Sequence, residues 1–495
     1  MHNKTSDFHY TPFPPHRSPS TLGAKTAIFS LLLLATLCVR GQEYPFIRYE
    51  ANELKYDSSA VELKSFFRKW QRVIETGQGT VNIIHIGGSH VQAGTFPHRV
   101  RTNILKAYPN LVGGRGLIFP YSAAANCNNP ADYKVHCVEK VELTRNVYKV
   151  PEHPLGLCGV SVTAHDVHTR IQILSNDRGI NYDVNRIVLL GYTDQGVVPS
   201  LSYDGYQVPP SYVDSVRHRF VFNLRHAVDS FDIVLPCDEG QSFTLTGIDL
   251  GSRHSGVSYH SIGVNGAAVP DYLKCRLTDD LRLVRPDMVI FGIGINDAHG
   301  ATFDSAAFRR NYMKLCDSIR SVNPECAFVF ITNNDCYRKT GRRSYHVNTN
   351  GLLVQEVCYR LATATHGAVW DQFEIMGGLK SMQLWQNAGL AKSDKVHFTH
   401  AGYQLLGDML FQALDKELHK DFSSVDSPAS SRSKPAVRKT SNEKKDSRVS
   451  DPSTEGLPRG LRRKPHYRPA SSEASSTKNN SNNINDSERF PYISD

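Results

Sequence analysis

Apolar positions follow two different rhythms along this chain. From Ser59 to Thr76 they recur at helical spacing, with Leu63, Phe66, Trp70, Val73 and Ile74 on one face, and Ser59 with Glu62 fits a capping box at the start. VNIIHIG (Val81–Gly87) is a short apolar run ending in glycine, the pattern of a strand buried on both faces. FPHRVRTNILKAY (Phe96–Tyr108) then reads as a helix. The alternation resumes later. A helical stretch near Asp271–Val284 precedes the strand PDMVIFGIG (Pro286–Gly294), and a helix over Ser305–Val322 precedes the strand CAFVFIT (Cys326–Thr332). Val347–Thr365 reads as helix, GAVWDQ (Gly367–Gln372) as strand and His400–His419 as a final amphipathic helix. Strand and helix in alternation predict an α/β fold: a parallel sheet with helices on both faces, in three layers.

Between Leu117 and Tyr259 the rhythm changes to short β-type runs, among them KVELTRNVYKV, TRIQILS, RIVLLGY, HRFVFNL, FDIVLP and SFTLTGIDL. Pro, Gly, Asn and Asp clusters separate them at the intervals of an all-β sandwich. FDIVLPCDEGQSFTLTGIDL reads as two strands joined by a turn. The pattern predicts a sandwich-like all-β module, residues 117–259, inserted between two parts of the α/β domain, residues 42–116 and 260–422.

The two ends differ again. Thr26–Val39 is an uncharged apolar run of 14 residues between Lys25 and Arg40. That is short of the ~20 residues a spanning helix needs and suits the core of a signal peptide, so residues 1–41 are expected to direct export. Cleavage before Gln42 and retention as an anchor both remain open. From residue 423 to 495 the chain is rich in Ser, Asn, Lys and Arg and poor in apolar residues, the composition of a disordered basic tail. Loose attraction to anionic envelope polymers is its expected effect, and a tail that binds nothing stays open. The net charge of +9 over 495 residues does not call for a specific nucleic-acid partner. If Cys38 leaves with the signal, nine cysteines remain, of which Cys127 and Cys137 lie in one irregular stretch where they could pair. No CxxC pair exists, and the neighbours His165, Asp166 and His168 have no marked distant third ligand, so neither a metal nor another cofactor is expected.

Four separated segments carry the chemistry. In IIHIGGSHVQAG (Ile83–Gly94) a strand ends in two glycines and places Ser89 at the turn into a helix. Such a turn presents a hydroxyl at the C-terminal edge of the sheet, where α/β proteins bind ligands. SIGVNGAAV (Ser261–Val269) is a glycine-bearing turn at the return from the β-rich stretch. In FGIGINDAHG (Phe291–Gly300) a strand runs into Asn296, whose amide can face a developing oxyanion. In SDKVHFTHAGYQLLG (Ser393–Gly407), Asp394 precedes His397 by three residues, a spacing that lets the carboxylate hold one imidazole nitrogen while the other faces a serine hydroxyl. His400 is a rival for the base, and the Asp-x-x-His spacing favours His397.

These segments resemble blocks I, II, III and V of the SGNH (GDSL) hydrolase family, in order, over roughly Val81–Glu417 less the β-rich insert. The resemblance implies an SGNH-type α/β/α sheet. It implies Ser89 as nucleophile, His397 as general base and Asp394 as the group that orients it. It also implies an oxyanion hole from the Ser89 and Gly266 N–H groups and the Asn296 side chain. One departure stands out: the family carries Asp before the serine, and here that position is Gly88. Gly88→Asp is accordingly expected to leave activity intact or raise it.

A β-rich insert between blocks I and II further resembles that of bacterial peptidoglycan O-acetylesterases. The implied function is an exported serine esterase that removes acetyl or other short acyl groups from cell-wall or other glycans, in the periplasm or cell envelope. A glycan O-acyltransferase using the same triad and a non-catalytic glycan-binding envelope protein remain as alternatives. Tyr121, Tyr192, Tyr203, Tyr206 and Tyr212 are candidates for stacking on sugars, with core packing as the ordinary fate of each. His90 is a candidate substrate contact, His85 a hydrogen-bonded core residue, Asp297 a partner for turn N–H groups, and Asp335 is unassigned.

Overall fold

The apolar runs Val81–Gly87, Pro286–Gly294 and Cys326–Thr332 form the middle of one sheet. The computed structural model describes residues 44–422, except 125–127, 178 and 343. The apolar run Thr26–Val39, the basic tail from 423 and Cys127 lie outside the described residues. Six strands run parallel: β1 (Thr80–Gly87), β2 (Val112–Ile118), β3 (Gly256–Gly263), β4 (Met288–Gly292), β5 (Ala327–Ile331) and β6 (Ala368–Trp370), in spatial order β2-β3-β1-β4-β5-β6. The short strand Leu54–Lys55 adds antiparallel to β6. Ile83, Ile84, Ile86, Val289, Ile290, Phe328, Val329 and Phe330 are all buried, which is why these segments read as unbroken apolar runs.

The helices that matter here are α1 (Val61–Thr76), α2 (Ser89–Gln92), α3 (Thr95–Ala107), α4 (Ile295–Ala298), α5 (Ser305–Arg320), α6 (Asn350–Thr365) and α7 (His400–Leu418). α1 starts without the predicted capping box: its N-cap is Ala60, and the Ser59 hydroxyl is bonded to the Asp57 carboxylate and to His366 Nδ1 (2.8 Å) instead. A nearby carboxylate outcompetes the helix for a short hydroxyl side chain. The helix read over Asp271–Val284 is broken into Val269–Tyr272 and Leu277–Val284, because the Arg276 N–H donates to Leu155 O (2.8 Å) in another part of the chain. α7 packs on α3, and Arg99 Nε and Nη2 donate to the two oxygens of Asp408 across that contact (2.6 and 3.1 Å).

The β-rich stretch grows out of the parallel sheet. Both strands at its edges, β2 and β3, belong to that sheet, so the excursion runs between Ile118 and Gly256 rather than from 117 to 259. VGGRGLI in β2 holds three glycines and lacks a strand-like run, which hid it. Phe243–Gly251 pairs antiparallel with β2 and continues the sheet through Arg186–Thr193, Arg219–Asn223 and Tyr212–Asp214. A second sheet orders Tyr206–Val208, Ser200–Tyr203, Ser230–Leu235, Thr169–Ser175 and Tyr133–Cys137. Ser230–Leu235 and Phe243–Gly251, read as strands joined by a turn, do not pair with each other. They lie in different sheets, and their alternate side chains (Ile233, Leu235, Phe243, Leu245) share one core. Among the described residues, no helix is long and apolar enough to cross a membrane.

Candidate active site

Three adjacent strands deliver the site. β1 ends at Gly87, Gly88 caps α2, and Ser89 is the first residue of that helix. The end of β1 is fixed by the Tyr272 hydroxyl, which donates to Gly87 O (2.8 Å). On one side β3 leads into the turn that contains Gly266, whose φ of +82° is left-handed backbone that suits glycine. On the other side β4 leads into α4 and Asn296. Gly294 precedes this helix at φ +140°, and a Cβ there would lie 2.9 Å from the Phe308 ring. All three turns lie at the C-terminal edge of the parallel sheet, where ligands of such folds bind.

The loop before α7 completes the constellation. Ser89 Oγ lies 2.8 Å from His397 Nε2, and His397 Nδ1 lies 2.8 Å from Asp394 Oδ2. The other carboxylate oxygen, Oδ1, accepts the N–H groups of Val396 and His397 (2.9 Å each). Burial raises the Asp394 carboxyl. The hydrogen bond and charge of His397 and those two N–H groups outweigh it and hold the group down at about 2. Asn296 Nδ2 donates to Ala267 O (2.9 Å), which aims the amide at the Gly266 turn; its NH2 group carries a second hydrogen for a ligand. Sequence positions 89, 266, 296, 394 and 397 are thus drawn to one sheet edge and its flanking loop.

Gln92, Arg145 and Tyr403, which carry no sequence signal, hold this arrangement together with His90. Gln92 Oε1 accepts from Asn265 N (2.7 Å) and Arg145 Nη2 donates to Asn265 O, so α2 and the β-rich stretch both clamp the Gly266 turn. The Tyr403 hydroxyl lies 2.8 Å from His90 Nδ1, and the His90 ring packs 5.2 Å from that of His397. Burial, with the His397 charge beside it, pushes the His90 imidazole down to about 3, so His90 stays neutral beside His397. A Cβ at Gly88 would lie 3.2 Å from Asn296 Nδ2. The site as built therefore has little room for the aspartate that the family carries at this position.

The remaining candidates fall elsewhere. His400 is exposed in the first turn of α7. His85 is buried in β1 with Nδ1 2.9 Å from the Tyr259 hydroxyl. The Asp297 carboxylate accepts from Val269 N (3.1 and 3.2 Å), and Asp335 Oδ2 accepts from Met382 N (2.9 Å). Tyr121 is a core residue donating to Gly263 O (2.8 Å). Tyr192 lies under Arg276, Tyr203 packs edge-on to His226, and only Tyr206 (73%) and Tyr212 (61%) of the five are largely exposed. His165 contacts Glu142 Oε2 at 3.3 Å, and no cluster with metal-binding composition occurs among the described residues. Cys137, named with Cys127, carries a thiol bonded to Glu139 O (3.1 Å).

Residues 245–405 match the model of the GDSL-like lipase/acylhydrolase family. That stretch of the chain is a GDSL-like lipase/acylhydrolase segment. The matched stretch contains Gly266, Asn296, Asp394 and His397, and the fold brings Ser89 to it from outside. The chain is also similar to a solved structure described as a peptidoglycan O-acetylesterase, with 21% identity and a TM-score of 0.60, over 71% of this chain and 95% of that one. That likeness is one of fold. A lipase/acylhydrolase from Enterococcus faecalis aligns at 24% identity over 32% of this chain and 77% of that one, with a TM-score of 0.26. An acetyl xylan esterase aligns at 20% identity over 32% and 81%, also with a TM-score of 0.26. Comparison with curated proteins finds no match.

Proposed function

We propose that this protein is an exported O-acetylesterase that removes acetyl, or other short acyl, groups from a cell-envelope glycan with Ser89, His397 and Asp394 as its triad. One observation carries the reading: two successive 2.8 Å hydrogen bonds join the Ser89 hydroxyl to the His397 ring and that ring to an ionised, internally bonded Asp394. A serine hydroxyl is a weak nucleophile until a base within reach takes its proton. His397 Nε2 is so placed, with Asp394 fixing the tautomer that leaves Nε2 as acceptor.

In the first half-reaction the Ser89 Oγ attacks the ester carbonyl while its proton passes to His397. The carbonyl oxygen becomes an oxyanion, for which the Asn296 amide and the N–H groups of Gly266 and Ser89 are the proposed donors. The bond from the acyl carbon to the sugar oxygen then breaks, and His397 returns the proton to that oxygen, releasing a free hydroxyl. Water repeats the sequence on the acyl-Ser89, releasing the acid and regenerating the enzyme. Each donor at such a hole is worth roughly 3–4 kcal/mol in the transition state.

The glycan substrate is supported by the fold likeness to the peptidoglycan O-acetylesterase. Export is supported by the apolar run Thr26–Val39. The test is acetate release from O-acetylated peptidoglycan, acetylated xylan and a small aryl acetate, with Ser89→Ala as control. Release from a glycan that disappears in Ser89→Ala is the expected result; release that persists in the variant overturns the assignment. Transfer of acetate to an added glycan without net hydrolysis would make the protein a transferase.

A further inference from the structure

The antiparallel hairpin Tyr337–Lys339 and Tyr345–Val347 abuts the loop that carries Asp394 and His397 and has no role in the chemistry above. It is tied to both sides of the site. The Tyr337 N–H donates to Lys395 O (3.1 Å), in the residue after Asp394. The Lys395 ammonium lies 4.7 Å from the centre of the Tyr337 ring and 5.3 Å from that of Tyr345, so both strands hold the loop that carries Asp394 and His397. At the same open end of the hairpin, where Tyr337 pairs with Val347, Asn348 Nδ2 donates to Ala298 O (2.9 Å), at the end of the helix that carries Asn296. The hairpin therefore bridges the acid–base loop and the oxyanion helix. His299 lies between: burial first, a bond to the Tyr337 backbone, and the charges of Arg338 and His397 all act on its imidazole.

The composition of this hairpin is one-sided. Residues 337–347 contain four Arg and Lys and neither Asp nor Glu. Lys339 and Arg342 are exposed, Arg338 is half-buried, and Lys395 adds its charge at the base with Gln383 Oε1 as partner (2.7 Å). No ion pair to a carboxylate engages Arg338, Lys339 or Arg342 among the described residues. Packing does not account for uncompensated cations on a strut fixed to both halves of a hydrolytic site. They raise the local concentration of negative chains at the cleft, and arginine's planar fork matches a carboxylate.

We propose that this hairpin is a docking arm for an acylated glycan that carries carboxylates, holding the anionic chain beside the Asp394–His397 loop while one of its neutral esters enters the site. The proposal rests on reading the site as a glycan esterase, but its test does not need turnover. In the full chain with Ser89→Ala, binding of polygalacturonate, a polyuronate without esters, is measured against neutral dextran and polyphosphate over a range of salt. The same titrations are run with Lys339→Ala/Arg342→Ala added. Both side chains are exposed, so unchanged melting certifies the fold.

The expected result is polyuronate binding that exceeds dextran binding, weakens with salt and falls roughly 10-fold in the double variant. In the enzyme with Ser89 intact, polyuronate should also inhibit aryl acetate hydrolysis competitively, and the double variant should lose that inhibition by a similar factor. This second readout separates the hairpin from the basic tail, which could bind polyanions without blocking the cleft. Unaltered polyuronate binding and inhibition in the double variant would overturn the proposal. Stronger retention of polyphosphate than of polyuronate would overturn the carboxylate assignment. Failure of hydrolysis alone would count against the esterase reading and leave the docking result standing.

Discussion

Replacing Asp394 by Asn tests the proposed triad at its least replaceable point. In the native loop one carboxylate oxygen takes the His397 Nδ1–H at 2.8 Å and the other takes two backbone N–H groups at 2.9 Å. An amide can preserve only half of this. Its oxygen satisfies the two backbone donors, which keeps the loop folded, and its NH2 then faces Nδ1. The imidazole must accept there and carry its proton on Nε2, the nitrogen 2.8 Å from the Ser89 hydroxyl. The base is then unable to take the serine proton. An equivalent tautomer error in a serine hydrolase costs about 10⁴ in kcat, or roughly 5 kcal/mol. The assay is aryl acetate hydrolysis by wild type, Asp394→Asn, Ser89→Ala and the double variant, with thermal melting as the fold check. The expected outcome is a loss of about 10³-fold or more in Asp394→Asn at nearly unchanged melting, and a double variant no worse than Ser89→Ala, because the residues act as a unit. A loss below about 10-fold would refute the argument that Asp394 sets the tautomer.

Other outcomes follow from the same geometry. Asn296→Ala should lower kcat by about 10²–10³ with little change in KM, because the amide acts on charge that appears only in the transition state. Gly88→Ala, whose added Cβ would stand 3.2 Å from Asn296 Nδ2, should lower kcat at unchanged melting, and Gly88→Asp should lower it further. This is the reverse of the expectation drawn from the family motif, and wild-type kinetics in either variant would show that the turn yields freely. Burial pushes the carboxyl of Asp280 up to about 7 against the N–H of Leu157, which it accepts at 2.7 Å. The folded state then keeps a proton that the unfolded state has lost, so stability falls as pH rises from about 4 through 7. Asp280→Asn should flatten that fall and raise the melting temperature at pH 8; an unchanged slope would assign the pH dependence to other groups.

What was legible in the sequence and what was not follow one physical rule. β1, β4 and β5 are covered on both faces, so their apolar runs stood out unaided. The Asp394–His397 loop and the turns at Ser89 and Asn296 were legible because strand-end glycines and an Asp-x-x-His spacing are local patterns. β2 was hidden by its three glycines, and β3, GVSYHSIG, by polar residues that serve specific partners, such as His260 Nδ1, which accepts from Leu117 N (2.9 Å). The partnership of Gln92 with Asn265 joins positions 173 apart, and that of His90 with Tyr403 joins positions 313 apart, distances at which a single sequence carries no pairing signal. The Tyr337–Val347 hairpin was missed because its strands are only three residues long and hold no fully buried position, so no apolar period of two marks them.

The most direct test of the account is covalent labelling. The enzyme is treated with a fluorophosphonate, which phosphonylates only a serine activated by a neighbouring base, and the labelled peptide is sequenced by mass spectrometry. One stoichiometric label on Ser89 is expected, abolished in His397→Ala while the protein stays folded. A label on another serine, or a Ser89 label that forms equally fast without His397, would contradict it.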